Sequence, residues 1–239
     1  MTTKRVMESL LSTTSRAFPF SHRPMNNQNY KELSAPYVAD IEKLSEGEII
    51  KHLRATTPHA IECVNWSDYP YAPNVTLRVA HSERVLAIMF EVKEQNTKAV
   101  TLDDNGPVWE DSCVEFFVRN PQGEGYFNFE MNCVGTLLAA KRKSREDAQH
   151  FSAEELAKVR HFGSLPHQRI DIQDGEWWMV ELIPFETLGL EEAPEEISAN
   201  FYKCGDKCEP MHFLSWSPIG LPQPNFHCPE FFGKVKLSR

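Results

Sequence analysis

No apolar run in this chain approaches the roughly 20 residues that a membrane-spanning helix needs, so the sequence offers no helical anchor. Lys4 and Arg5 precede a short apolar segment, Val6 to Leu11, but Glu8 interrupts it and leaves a poor signal peptide. By sequence the chain therefore reads as cytoplasmic, unless it has been trimmed. Positive charge is also scarce: 25 Lys and Arg stand against 34 Asp and Glu, a net charge of −9. Binding a phosphate backbone needs clustered Lys and Arg, so nucleic acid is not an expected partner. The one basic run, Lys141 to Arg145, is followed at once by Glu146 and Asp147 and reads as a solvated turn. There is no P-loop and no Rossmann glycine fingerprint. The G-x-S-x-G elbow of a serine hydrolase is missing too. The six cysteines, Cys63, Cys113, Cys133, Cys204, Cys208 and Cys228, are too dispersed for a small disulfide framework. Cys113 and Cys133 sit within strand patterns and read as small buried hydrophobes.

Aromatic residues are abundant, with 15 Phe, 6 Tyr and 5 Trp, and they suit a sheet-rich core. Residues 1 to about 30 carry no periodicity over Ser21 to Tyr30 and read as an N-terminal extension or arm; 31–239 reads as one domain. Ser45 with Glu48, and Ser152 with Glu155, are capping boxes, each flanked by a staple pair: Leu44 with Ile49, and Phe151 with Leu156. They predict two short helices. Elsewhere the period is two. Strands are expected over Val75–Val79, Val85–Val92, Cys113–Arg119, Gly125–Cys133, Thr136–Ala140, His167–Ile172, Glu176–Ile183, Ile197–Cys204, His212–Trp216 and Phe232–Leu237. Asn120-Pro121-Gln122-Gly123 and Asp174-Gly175 read as turns. About nine or ten strands with two helical insertions and no βαβ alternation predict an all-β fold. The expected architecture is a β-sandwich of two antiparallel sheets, immunoglobulin-like or jelly-roll-like. Trp66 reads as a core cap. Of the adjacent Trp177 and Trp178, one is expected in the core and the other outside it; Trp216 is a candidate for the border of the late loops.

One stretch draws the chemistry together: Val108 to Val118, V-W-E-D-S-C-V-E-F-F-V. Val114, Phe116 and Val118 point one way, and Cys113, Glu115 and Phe117 the other. An acid between apolar neighbours needs a solvated face or a partner. On the expected hairpin partner, Asn128, Glu130 and Asn132 share one face. Lys203 is expected to bring a positive charge to the same patch, with Trp109 and Phe226 as apolar ring faces. Carboxylates, amides and an ammonium can donate to and accept from sugar hydroxyls.

Three landmarks recur in order: V-W-E-D-S-C-V-E-F-F at 108–117, G-Y-F-N-F-E-M-N at 125–132, and L-S-W-S-P-I-G with F-H-C-P-E-F-F-G-K-V-K-L at 214–237. Together with N-F-Y-K-C-G-D at 200–206 they resemble the family 9 carbohydrate-binding modules, most closely the bacterial family 9-like proteins. The resemblance covers roughly residues 60 to 239. It implies a non-catalytic β-sandwich that clamps a terminal sugar of a polysaccharide between two aromatic side chains. The first clamp falls on Trp109, and the strand glutamate six residues on falls on Glu115. The second clamp falls on Phe226, a Trp in the family, and a loop amide near Gln223. A late-strand Gln falls on Lys203, and a hairpin Arg on Glu130, where the charge is reversed. The expected partner is a mono- or oligosaccharide or the end of a polysaccharide. Such a role would place the protein outside the cell or in the periplasm.

Other readings compete. Asp103, Asp104, Glu110, Asp111 and Glu115 offer carboxylates to a glycosidase. Cys204, Cys208, His212, His227 and Cys228 include a loose C-x3-C zinc spacing. A haem or redox module is a third alternative, since related sandwiches hold haem. No cofactor is required by the resemblance, but family members can carry structural calcium. Asp103-Asp104-Asn105-Gly106 has oxygen donors and a turn glycine for it, without the rest of an EF-hand loop.

Overall fold

The computed structural model of the protein describes residues 30–239, so the N-terminal arm lies outside the described residues except for Tyr30. The chain runs through β1 (Glu32–Pro36), α1 (Glu46–Ala55), β2 (His59–Ala60), β3 (Cys63–Val64), β4 (Asn74–His81) and β5 (Val85–Ala99). Next come β6 (Cys113–Arg119), β7 (Tyr126–Asn132), β8 (Leu137–Arg142), β9 (Ala148–His150), α2 (Ala153–Leu156) and β10 (Arg160–Gly163). β11 (Ile170–Pro184), β12 (Glu196–Gly205), β13 (His212–Ser215) and β14 (Gly233–Ser238) complete it.

Two sheets pack face to face. The larger has the order β1-β14-β12-β6-β7-β8-β9, with β13 beside β12 and β3 beside β13; the smaller runs β10-β11-β5-β4-β2. The fold is a β-sandwich, as the sequence predicts. Between the sheets lie Val114, Phe116 and Val118 of β6, Phe127, Phe129 and Met131 of β7, and Ile88 and Phe90 of β5. The Phe116 ring stacks on Phe201 at 5.2 Å. Each such side chain contributes about 1.5–3 kcal/mol by leaving water.

Both capping boxes form: the Ser45 and Ser152 side chains accept from the Glu48 and Glu155 amides, and each glutamate reaches back. α1 lays Ile49 and Leu53 over the outer face of the smaller sheet, against Ala87, Met89, Val180 and Leu182. Asn120 closes the β6–β7 hairpin through its own side chain, which accepts from the Gln122 amide at 3.0 Å.

Four expectations need correction. Asp174-Gly175 is not a hairpin turn. β11 runs unbroken for 15 residues against the 15 of β5, with Gln173 opposite Asn96 and Gly175 opposite Glu94. Asp174 takes a left-handed φ of 51°, and at Gly175 a Cβ would stand 2.2 Å from Thr97 Oγ1. The glycine permits close approach inside a ladder rather than reversal of the chain. Secondly, β1 and β14 pair in parallel. Thirdly, Trp216 is a core residue, set edge-on to Phe201 at 5.6 Å, and not a loop border. Finally, fourteen strands form among the described residues, since β1, β2, β3, β9 and β10 are too short or too polar to show a period. Trp66 is buried, as expected. Trp177 is in the core while Trp178 is half-buried on the opposite face.

Candidate functional site

The second face of β6 and β7 is not solvated. Trp66, Val108 and Phe226 close over Phe117, Tyr126 and Tyr202 of the sheet, forming a separate apolar cluster on the outside of the larger sheet. Within this cover a cavity of about 330 Å³ stays open. The one-turn helix at Val108–Glu110 brings Trp109 to it, and the long loop after β13 brings Pro224, Asn225, Phe226 and His227. Its sheet wall carries Glu115, Glu130, Arg142 and Cys204, with Arg145, Asp206 and Phe213 around them.

Four of the six expected residues meet here: Trp109, Glu115, Glu130 and Phe226. Glu115 and Glu130 sit directly opposite one another on β6 and β7. Both are buried. Glu130 Oε1 accepts from Asn128 Nδ2 at 2.9 Å. Glu115 Oε1 accepts from the Cys204 thiol at 3.0 Å. Burial, reinforced by Glu130, pushes the Glu115 carboxyl well above the usual carboxylate range. Burial likewise lifts Glu130 to about 7, with Arg142 pulling the other way. Asp206 rises to about 6, through burial and then Glu110. His227 is pushed down to about 3 by burial and by Arg142 and Arg145, so it is neutral at pH 7. Its Nδ1 lies 2.8 Å from the Tyr126 hydroxyl.

Trp109 is half-buried. Phe226 is only 8% exposed and lies flat on Tyr202, with ring centroids 4.2 Å apart and 10° between planes. It is a wall of the cavity rather than a projecting platform.

The other two expected residues lie elsewhere. Gln223 is exposed and does not line the cavity; Asn225, two positions on, supplies the loop amide. Lys203 points to the opposite side of the sheet. It is fully buried between the sheets, where Nζ lies 2.8 Å from Glu94 Oε2 and donates to the Cys204 carbonyl and to His212 Nε2, each at 2.8 Å. Strict alternation carries the reason: Lys203 follows Ile197, Ala199 and Phe201, all between the sheets.

Arg142 and Arg145 were the residues missed. The run Lys141 to Arg145 is no solvated turn throughout. Lys141 and Arg142 end β8, which puts the buried Arg142 opposite Tyr126 on the cavity face. Arg142 Nε donates to Asn128 Oδ1 at 2.8 Å, and Nη1 to the Arg145 carbonyl at 2.7 Å. The period of two across Leu138, Ala140 and Arg142 was the available signal. An arginine thus stands beside Glu130, supplied by the neighbouring strand.

The competing constellations disperse. Asp111 accepts from the Val100 and Thr101 amides and from Asn132, all at 3.0 Å, so it is a loop buttress. Glu110 pairs with Lys207 at 2.7 Å. The C-x3-C set does not assemble: Cys208 meets Ser112, His212 meets Lys203, His227 meets Tyr126, and Cys228 donates to the Asn225 carbonyl. The haem reading finds one histidine on the cavity, His227, already bonded to Tyr126. In the 103–106 loop, part of the oxygen set is already engaged by the protein. Asp104 accepts from the Leu137 amide, and the Asn105 carboxamide spans the Ala139 amide and the Phe151 carbonyl. Among the described residues, all six thiols are free.

The sequence profile described as carbohydrate-binding family 9 matches residues 48–237. The chain belongs to carbohydrate-binding family 9. A crystal structure described as a candidate carbohydrate-binding protein from Bacteroides uniformis is 38% identical to it. That likeness covers 87% of this chain and 99% of the other, with a TM-score of 0.82. Two structures of a family 9 module from Caldicellulosiruptor kristjanssonii, one with glucose and one with cellotriose, share 12% identity. Their TM-scores are 0.57 and 0.56, over 87% of this chain and 97% and 94% of theirs, and the likeness is one of fold. No curated protein sequence matches. Trp109 and Glu115, the positions to which the resemblance assigns a clamp and a strand glutamate, line the same cavity, and Arg142 of β8 brings an arginine to it.

Proposed function

We propose that this family 9 protein binds the end of a carbohydrate chain in the cavity beside Trp109, without turning it over. The observation that carries this reading is the meeting, in one cavity, of a half-buried indole with hydrogen-bonding groups of both signs. The indole offers a flat apolar face to the C–H side of a sugar ring. Arg142 and Arg145 donate only; Glu115, Glu130 and Asp206 accept when ionised, and donate as well when they carry a proton. The Arg145 charge acts on Asp206 and Glu130 across the cavity, and its guanidinium can donate to a ligand there. At about 330 Å³ the cavity stands at the small end of ligand pockets, which run about 300–1,000 Å³. It suits a chain end rather than a groove along a polymer. Family membership supports carbohydrate as the ligand class, and the family 9 module from Caldicellulosiruptor kristjanssonii was crystallised with glucose and with cellotriose.

Binding is favoured over hydrolysis by the placement of the acids. A glycosidase flanks the scissile bond with its two carboxylates. Glu115 and Glu130 stand side by side on one wall. Isothermal titration against glucose, cellotriose and a panel of other mono- and oligosaccharides tests the reading. Heat with at least one sugar, and at least about fivefold weaker binding in Trp109→Ala, are expected, in line with about 1–3 kcal/mol for loss of a stacking ring. No heat with any sugar, or an unchanged affinity in the variant, overturns it. Turnover of chromogenic glycosides that disappears in Glu115→Gln would overturn its non-catalytic half.

A further inference from the structure

Cys113 and Cys204 stand directly opposite one another on β6 and β12. Glu115, two residues beyond Cys113, points to the same side of the sheet. The two sulfurs and a Glu115 carboxylate oxygen all lie within 4.8 Å of one another, and all three residues are buried. Among the described residues no other three such donors converge as closely. Cys204 and Glu115 both line the cavity.

Two sulfurs and one carboxylate oxygen form a soft-to-borderline donor set. It is poor for calcium, which takes about 6–8 oxygens. It suits zinc, which thiolates hold at about 2.3 Å and carboxylates at about 2.0–2.2 Å, in a tetrahedron. Such a tetrahedron sets neighbouring donor atoms roughly 3.5 Å apart. The Cys204 sulfur and Glu115 Oε1, now 3.0 Å apart, need only a small side-chain rotation to open to that spacing. The strands supply three donors from one sheet face, and the fourth direction leads off the sheet into the cavity.

We propose that Cys113, Glu115 and Cys204 bind a zinc-class divalent cation at the floor of the cavity, with its fourth coordination position open to the cavity's occupant. Binding releases both thiol protons, together with the carboxyl proton wherever Glu115 carries one. Two thiolates and a carboxylate against a double positive charge leave one net negative charge, which Arg142 and Arg145 face across the same cavity. The ion also gives a buried carboxylate the partner that burial demands. A water, or a hydroxyl of the bound ligand, completes the tetrahedron. This site goes beyond the carbohydrate reading and does not depend on it.

The test is titration of fully reduced, chelator-stripped protein with Co²⁺ and then Zn²⁺, with no sugar present. One Co²⁺ per chain should produce an intense near-ultraviolet thiolate-to-cobalt band, with at least two protons released per ion, and Zn²⁺ should displace it. Cys204→Ser should abolish the band, or weaken affinity by well over the roughly tenfold that loss of an outer hydrogen-bond partner costs a metal site. Glu115→Gln keeps both thiols and guards against a folding defect in the cysteine variant; it should shift the band and weaken binding. A reduced wild-type protein with no band at equimolar Co²⁺ overturns the proposal. So does a band untouched in both variants, which would put the ion elsewhere, for instance on the half-exposed Cys63. Sugar titration of the metal-free protein is a separate measurement, so the two readings fail separately.

Discussion

Lys203 and Glu181 are both ionisable side chains closed off from water, and their surroundings give them opposite fates. Burial alone would depress the Lys203 ammonium, but Glu94 outweighs it and the group is raised. Removing one partner of a buried pair leaves the other charge stranded, so Lys203→Met should cost about 3–5 kcal/mol in urea denaturation. Lys203→Met with Glu94→Gln should recover much of that loss. The folded fraction of the single variant should bind sugar as the parent does, because Lys203 lies on the far side of the sheet from the cavity. Among the described residues Glu181 has no partner: both carboxylate oxygens are buried without a hydrogen bond, and burial lifts it to about 8. Between about pH 4.5 and 8 the folded chain therefore holds a proton that the unfolded chain gives up. Stability falls as pH rises through that window, by up to several kcal/mol. Glu181→Met should flatten the profile and raise the melting temperature at pH 8 more than at pH 5; an unchanged pH profile would count against the burial argument. Residues of this kind were half legible. The acid on β6 was visible as an acid between apolar neighbours. Lys203 was misplaced because its charge outweighed its position in a period of two, and Glu181 drew no notice inside an apolar run.

At the scale of elements, what depends on neighbours in the chain was readable. Both capping boxes and the Asn120 turn involve partners within three residues, and all three form. Ser45→Ala should therefore lower stability by about 1 kcal/mol, measured by urea denaturation, since α1 loses an accepted amide. What depends on partners far away was not readable. The β5–β11 ladder continues through Asp174-Gly175 because β5 opposes it on the far side, and a dipeptide cannot announce that. Gly175→Val would drive a side chain into Thr97, and a lower denaturation midpoint, partly restored by Thr97→Ala, is the expected outcome. The β8 terminus was hidden for a related reason. Five residues that include four basic ones look solvated until a neighbouring strand lifts Arg142 onto an enclosed face.

For the whole molecule, the sandwich followed from periodicity, but the second apolar layer outside the larger sheet did not. It is built from loops around Trp66, Trp109 and Phe226 that have no period, and it turns what looked like a polar sheet face into the wall of a partly covered cavity. The cavity joins a helical turn near residue 109 to a loop near 226 across β6, β7, β8 and β12, so its occupation should report on the fold as a unit. A bound sugar at 100 times its Kd adds about 2.7 kcal/mol. The melting temperature should rise with sugar in the parent and stay still in Trp109→Ala at the same concentration. The parallel ladder of β1 and β14 has a mechanical consequence as well. The chain enters it at Glu32, beside Lys234, and leaves it at Ser238, beside Pro36. A pull that draws these two ends apart slides one strand along the other, and its hydrogen bonds share the load together instead of opening one by one. In single-molecule extension from these ends, the first resistance should be this seam breaking in shear.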